Sequence, residues 1–174
     1  MKIVFIIGST NSGKTTLIKK LCEDTCFNPV MIGQELRKLY PPSFFEGQAA
    51  PSKTDNLAFD IMRKKIMESL DNNQIPLIDG QPRNNVQYEL CKEYFENHDC
   101  RFINLWASRE QRIVRSKNRD KNNEEKLKLS IARIDNDSII LYDIISRLLI
   151  DNYNVRSFDT NGEYVFRIKD YILS

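Results

Sequence analysis

Apolar residues fall in short blocks along the chain, and two kinds of block alternate. Lys2 to Ile7 is nearly all β-branched or aromatic, which suits a parallel strand covered on both faces. Similar short runs recur at Val30 to Ile32, Pro76 to Ile78, Phe102 to Trp106 and Val155 to Phe158. Between them lie helix-compatible stretches: Lys14 to Cys22, "NLAFDIMRKKIMESL", "VQYELCKEYFE" and "SIILYDIISRLLI". Strand and helix in alternation predict an α/β protein with a doubly wound, five-stranded parallel sheet and ligands at the carboxyl ends of its strands. Two segments break the pattern. "YPPSFFEGQAAPSK" (Tyr40 to Lys53) has the prolines, glycine and paired phenylalanines of a compact insertion, and "RSKNRDKNNEEKLK" (Arg115 to Lys128) reads as a solvated loop running into a helix.

At 174 residues the chain can bury one substantial core, so residues 1–174 are read as a single domain. With 26 basic and 24 acidic residues the formal net charge is +2, and no strong field draws the chain to nucleic acid or a membrane. The apolar runs fall short of the roughly 20 residues of a membrane span, and "MKIVFII" leads into no small-residue cleavage site. A cytoplasmic monomer is expected, in the host cytoplasm if the Lys-, Asn- and Ile-rich composition marks a viral source. Cys22, Cys26, Cys91 and Cys100 form no CxxC pair and no zinc-type spacing, so they read as buried or incidental thiols. His98, in "ENHDC", reads as a surface-turn residue without a catalytic or metal role.

Residues 6 to 16, "IIGSTNSGKTT", carry the most specific signal. Gly8, Gly13, Lys14 and Thr15 satisfy GxxxxGK[ST], with a buried-type strand before and a helix after. In a P-loop of this kind the small residues let backbone N–H groups point inward around phosphates, and the helix N-terminus adds positive potential. Lys14 is expected to reach the β and γ phosphates of ATP, and the Thr15 hydroxyl to hold Mg²⁺. Asn11, Ser12 and Thr16 complete the expected ATP contacts of the loop. A triphosphate is implied, but GTPases, ATPases and small kinases share the motif.

Further along, "LIDGQPRN" resembles the DG-aromatic-PR motif of the adenylate kinase family of nucleoside monophosphate kinases, and the resemblance covers most of the chain. It implies that Asp79 helps place Mg²⁺, that Arg83 grips the transferring phosphate beside Gly80, and that Gln87 reads the acceptor base. "IGQELRK" is similar to the family's "TGD-x-L-R" helix start and puts Gly33 and Arg37 at the acceptor phosphate, with Ile32 and Gln34 replacing the family's Thr and Asp. "GQAAPSKTD" is similar to its "G-x-L-V-P" segment, with Ala49 and Ala50 leaving more room beside the base.

"ASREQRIVRSKNR" resembles the family's helix into the lid, which implies Arg115 near the ATP base and Arg119 on the phosphates; independently, residues 112, 115 and 119 fall on one helical face. Arg133, in "ARIDND", matches the last lid arginine. The lid, about 119–133, is shorter than the family's short form and lacks one arginine, for which Lys121, Lys126 or Lys128 is the candidate substitute. "SFDTNG" implies that Thr160 and Asn161 line the ATP base. The acceptor-binding insertion is expected at about 33–67, and closure of insertion and lid together would exclude water.

The leading expectation is ATP-dependent phosphoryl transfer, with Mg²⁺, to a nucleoside or deoxynucleoside monophosphate, with Lys14, Arg83, Arg119, Arg133 and Asp79 as the catalytic set. One alternative keeps the fold and phosphorylates an alcohol, such as the hydroxymethyl group of 5-hydroxymethyluracil in viral DNA. It requires a carboxylate base, Asp79 before Glu35 or Asp55, and makes DNA a partner. The other is an inactive nucleotide-binding regulator.

Overall fold

A computed structural model describes residues 2–41, 54–121 and 123–174. Its central element is β1 (Lys2–Ile7), which pairs in parallel with β3 (Ile75–Asp79) on one side and β4 (Asp99–Trp106) on the other. Outside these lie β2 (Phe27–Val30) and β5 (Val155–Asp159), giving a five-stranded sheet of order β2-β3-β1-β4-β5, parallel throughout. The chain moves to one side of β1 for two strands and then crosses to the other, so β1 and β3 send their following helices in opposite directions. That reversal opens a crevice at their carboxyl ends.

Side-chain alternation decides which helix covers which face. Ile3, Phe5 and Ile7 face a core built with α2 (Ile32–Leu39), α3 (Asp55–Asp71), α4 (Asn85–Asn97) and α6 (Glu124–Ile150), whereas Val4 and Ile6 face α1 (Lys14–Leu21) and α7 (Val165–Leu173). Because β1 is buried on both sides, it can be apolar at nearly every position. On the first face Phe95 of α4 meets Phe5, Phe102, Tyr88 and Tyr153, with ring centroids 4.9–5.6 Å apart and most of the pairs steeply inclined, the arrangement that aromatic quadrupoles favour.

Several expectations change in detail. The run Val30 to Ile32 is divided: β2 ends at Val30, and Ile32 opens α2, where Ile32 and Leu36 are buried one turn apart. Pro29 is accommodated because β2 is an edge strand. The "SIILYDIISRLLI" helix extends forward to Glu124 and forms the 27-residue α6. Asn123 caps its start by accepting from Lys126 N at 2.8 Å, and Glu124 and Glu125 complement the first turn. The polar segment is therefore helical on both sides of a short connection, since α5 (Arg109–Arg119) runs up to it from Ser108, whose side chain forms a capping box with Gln111. α7 was not anticipated. Ala49, Ala50 and most of the Tyr40–Lys53 segment lie outside the described residues.

Cys91 is buried and the other three cysteines partly so, all four as free thiols. Burial pushes the Cys91 thiol up to about 12, which keeps it protonated and unreactive. Among the described residues no helix is long and apolar enough to cross a membrane.

Truncating Phe95, which is 4% exposed, removes the hub of the aromatic cluster. Phe95→Ala is expected to lower unfolding free energy by about 3–5 kcal/mol, read from urea denaturation. Val114→Ala, at a helix position 54% exposed, should change it by less than about 0.5 kcal/mol.

Candidate functional site

The loop between β1 and α1 is shaped by three left-handed or otherwise strained residues: Gly8 at φ 146°, Asn11 at φ 62° and Gly13 at φ 102°. A Cβ on Gly8 would stand 2.6 Å from both the Leu105 carbonyl oxygen and Ser12 Oγ, so only glycine lets the loop pass this close to β4. Gly13 is the N-cap of α1, and the first-turn N–H groups of that helix open onto the loop with the positive end of its dipole. Lys14 reaches back along the loop, its Nζ donating to the carbonyls of Gly8 at 2.5 Å and Ser9 at 3.0 Å. Thr15 and Thr16 are exposed in the first turn of α1.

The pairing of Ile6 with Asp79 carries the second half of the site alongside. Gly80 N donates to Ile6 O at 2.9 Å, and Gly80, at φ 67°, turns the chain away from the sheet. After the cis Gln81–Pro82 bond, Arg83 Nε donates back to Gly80 O at 2.6 Å. Asn84 caps α4 by accepting from Gln87 N. Gln87 braces this turn: its Oε1 accepts from Arg83 N at 2.7 Å, and its Nε2 donates to Asp55 Oδ1 at 2.6 Å. The structure thus places Gln87, expected at an acceptor base, buried between the arginine turn and the start of α3. Arg37 is exposed and donates to Gly33 O at 3.0 Å; its charge is felt at Arg83.

From the opposite side α6 brings Arg133 and, one turn later, Asp137. Both line the same cleft as Gly8, Lys14, Gly80 and Arg83. Asp137 Oδ2 accepts from Thr10 N at 3.1 Å and from the Thr10 hydroxyl, and lies 3.6 Å from Arg133 Nε. Burial lowers the Lys14 ammonium to about 8; Asp79 and Asp137 oppose that shift and Arg83 and Arg133 add to it. Burial likewise lowers Arg83, against Asp79. Cations from three separated segments therefore share one partly desolvated cleft, whose positive field suits a polyanion. Oδ1 of Asp79 is buried with no hydrogen-bond partner among the described residues, an acceptor available to a cation.

The remaining expected residues gather on the other flank of the glycine-rich loop. Arg115 donates to Asn11 O, Thr160 Oγ1 and Thr160 O at 3.0–3.1 Å, tying the loop to the turn after β5. Asn161 is exposed in that turn, its N–H donating to Asp159. Arg119 donates to Asn11 Oδ1 at 2.8 Å but is otherwise held by Asp120 and Ser130. It does not line the Lys14 cleft. The buried Asp120 carboxylate gathers Arg119, Ser130 and Lys126, which fastens the end of α5 to the start of α6.

Sequence reasoning missed Thr10, Asp120 and Asp137, and it offered Asp55 only as a lesser candidate base, whereas the structure has Asp55 holding Gln87. Only Asp137 carried a usable signal, its four-residue spacing from Arg133, which puts both on one helical face. The fold and cleft together define an α/β parallel-sheet protein with a cationic crevice at the carboxyl edge of its strands. No protein-family model matches the chain, and no curated protein sequence matches it.

An amine-reactive reagent should find Lys14 half-titrated near pH 8, well below the ordinary lysine value of about 10.4. Above pH 8 Lys14 is mostly neutral and reacts faster than the rest. Asp79→Asn removes an opposing negative charge and should move the midpoint lower; Arg83→Ala should move it higher. Peptide-resolved labelling rates against pH check both directions, and a midpoint at the ordinary lysine value would contradict the cleft's electrostatics.

Proposed function

We propose that the chain is an ATP-dependent phosphotransferase whose acceptor is a nucleoside or deoxynucleoside monophosphate. One observation carries the proposal: Lys14, Arg83 and Arg133, from three separate segments, line a single cleft floored by the glycine-rich loop. Phosphoryl transfer asks for positioning and neutralisation of spread negative charge more than for covalent help. In this reading the loop from Gly8 to Thr16 is a P-loop that cradles the triphosphate, Lys14 sits on the β and γ phosphates, and Arg115 with Thr160 and Asn161 flanks the ATP base. Arg83 and Arg133 hold the transferring group between them. Arg37 and Gly33 approach the acceptor phosphate from α2, and Gln87 acts on that side by fixing the Arg83 turn. Arg119 anchors the α5–α6 connection, which stands where a lid is expected.

The residues fit Mg²⁺. The unpartnered Asp79 oxygen and the exposed Thr15 hydroxyl offer the one or two protein ligands that this ion takes when phosphates and water supply the rest. Bound there, Mg²⁺ would neutralise charge on the β and γ phosphates. A monophosphate acceptor attacks through an oxygen that is already anionic, so no side chain need remove a proton. Closure over the substrates would keep water from taking the phosphoryl group.

Asp137 favours a second reading. It is a carboxylate on the wall of the cleft, near Lys14 and Arg133, where an alcohol acceptor such as the hydroxymethyl group of a modified base in DNA would need a base for the proton it loses.

Purified protein incubated with γ-labelled ATP, Mg²⁺ and each ribo- and deoxynucleoside monophosphate should give labelled diphosphate from at least one of them. Labelled hydroxymethylated DNA would select the second reading, and nucleotide binding without any transfer would overturn both. With the accepted substrate, Arg83→Lys keeps the charge but loses the planar fork, and kcat should fall about 100-fold or more. Turnover equal to wild type would remove Arg83 from the transfer site.

A further inference from the structure

Against the glycine-rich loop, and sharing Leu141 with the Lys14 cleft, lies a cavity of about 340 Å³. Its walls come from the loop (Ser9, Ser12), the end of β4 (Asn104 to Ala107), α5 (Arg112) and α6 (Ser138, Tyr142). Three polar atoms on those walls are buried without a hydrogen-bond partner among the described residues: Ser12 Oγ, Asn104 Oδ1 and Arg112 Nε. Ser12 is 1% exposed, Asn104 8% and Arg112 8%. Such atoms are rare in folded proteins, and three around one space mark a place where something else completes the set.

Arg112 decides the chemistry. Its Nη1 donates to Ile134 O at 3.3 Å and to Ser138 Oγ at 3.2 Å, both neutral acceptors. Among the described residues no carboxylate pairs with it. The acidic side chains closest in charge effect, Asp135 and Asp137, are committed elsewhere: Asp135 holds Arg109 through two bonds of 2.7 and 2.9 Å, and Asp137 holds Thr10 and Arg133. Arg112 is a nine-tenths buried residue with no carboxylate in direct contact, and only the charges of Asp135, Asp137 and Glu110 acting at a distance offset its own, an arrangement that is costly to maintain. Water could satisfy its N–H groups but not its charge, whereas an oxyanion does both.

We propose that this cavity is a second oxyanion site, which binds a small phosphate- or carboxylate-bearing organic molecule on Arg112 and Ser12. The anionic group sits at the inner end against Arg112 Nε and the Ser12 hydroxyl, with Asn104 Oδ1 accepting from a protonated oxygen or another donor of the ligand. Trp106 and Tyr142, 52% and 72% exposed, stand at the mouth, where a planar body can lie against them. The site shares Ser9 and Ser12 with the glycine-rich loop but takes none of Lys14, Arg83 or Arg133, so it does not rest on the phosphotransferase reading.

Trp106 is the only tryptophan of the chain, so its fluorescence reports on this cavity. Titration of the full chain with phenyl phosphate, benzoate and inorganic phosphate should give a saturable change with at least one probe. The first two arms separate phosphate from carboxylate recognition, and the third tests the bare ion. Binding should persist in Lys14→Ala and weaken about tenfold or more in Arg112→Gln. Because Arg112→Gln can disturb the α5–α6 packing, Tyr142→Glu provides an independent arm: it sits on an exposed position, keeps the core intact and repels an anion at the mouth, again weakening binding. No saturable change, or a change that survives both substitutions, overturns the site. Loss in Lys14→Ala would assign the signal to the neighbouring cleft and overturn it equally.

Discussion

Parallel pairing of β1 with β3 is the constraint on which the site depends. Once Ile6 stands opposite Asp79 and Gly80 N donates to Ile6 O, the loop after β1 and the turn after β3 must emerge side by side. Their following helices leave in opposite directions, so nothing in the sheet fills the space between them. A slip of one residue would turn Asp79 to the other face of the sheet. The buried alternation of Val4, Phe5 and Ile6 against Leu77 and Ile78 guards against that slip. Strand register, an issue of apolar packing, thereby sets the distance between charged groups far apart in sequence.

What the pairing creates is electrostatically unfavourable by itself. Burial is the main cost for Lys14 and Arg83, and the carboxylates Asp79 and Asp137 counter the repulsion that Arg133 and the other clustered cations add. The protein ties these groups down: Arg83 through Gly80 and the Gln87–Asp55 brace, and α6 through the Asp120 cluster and the Arg109–Asp135 pair. Cations held in place ahead of ligand binding need little reorganisation when charge arrives, which is the condition under which electrostatic stabilisation is largest. The surrounding polar network is therefore part of the site.

β1, β3 and β4 are legible in the sequence because inner strands covered on both faces are nearly continuous apolar runs, whereas the edge strands β2 and β5 carry exposed positions and leave shorter signals. Strand ends are less legible: Ile32 is apolar like its neighbours, and only its pairing with Leu36 one turn on gives it to a helix. α7 escapes notice because Ile168, Tyr171 and Ile172 are interleaved with charged residues after a glycine-containing turn. Within the site the glycine-rich loop is readable from its own residues, since backbone geometry there demands glycine. Arg83 and Arg133 emerge only through a family resemblance, because a surface arginine and a cleft arginine look alike in sequence. Asp137 and Asp120 remain hidden for the same reason: their partners, Thr10, Ser130 and Arg119, are fixed by how α6 packs. Arg112 stood out as part of an arginine stripe, yet its burial without a counter-charge is a tertiary fact.

The proposed phosphoryl transfer requires the glycine-rich loop and the Arg83 turn to act on one continuous chain of phosphates. A bisubstrate ligand, in which five phosphates join adenosine to a second nucleoside, tests it by calorimetric titration alongside ATP. This ligand should bind about tenfold or more tighter than ATP, and Arg83→Ala should weaken it more than it weakens ATP, so that the advantage shrinks. Equal affinity for the two ligands, untouched by Arg83→Ala, would mean that the two halves do not meet across a shared phosphate path.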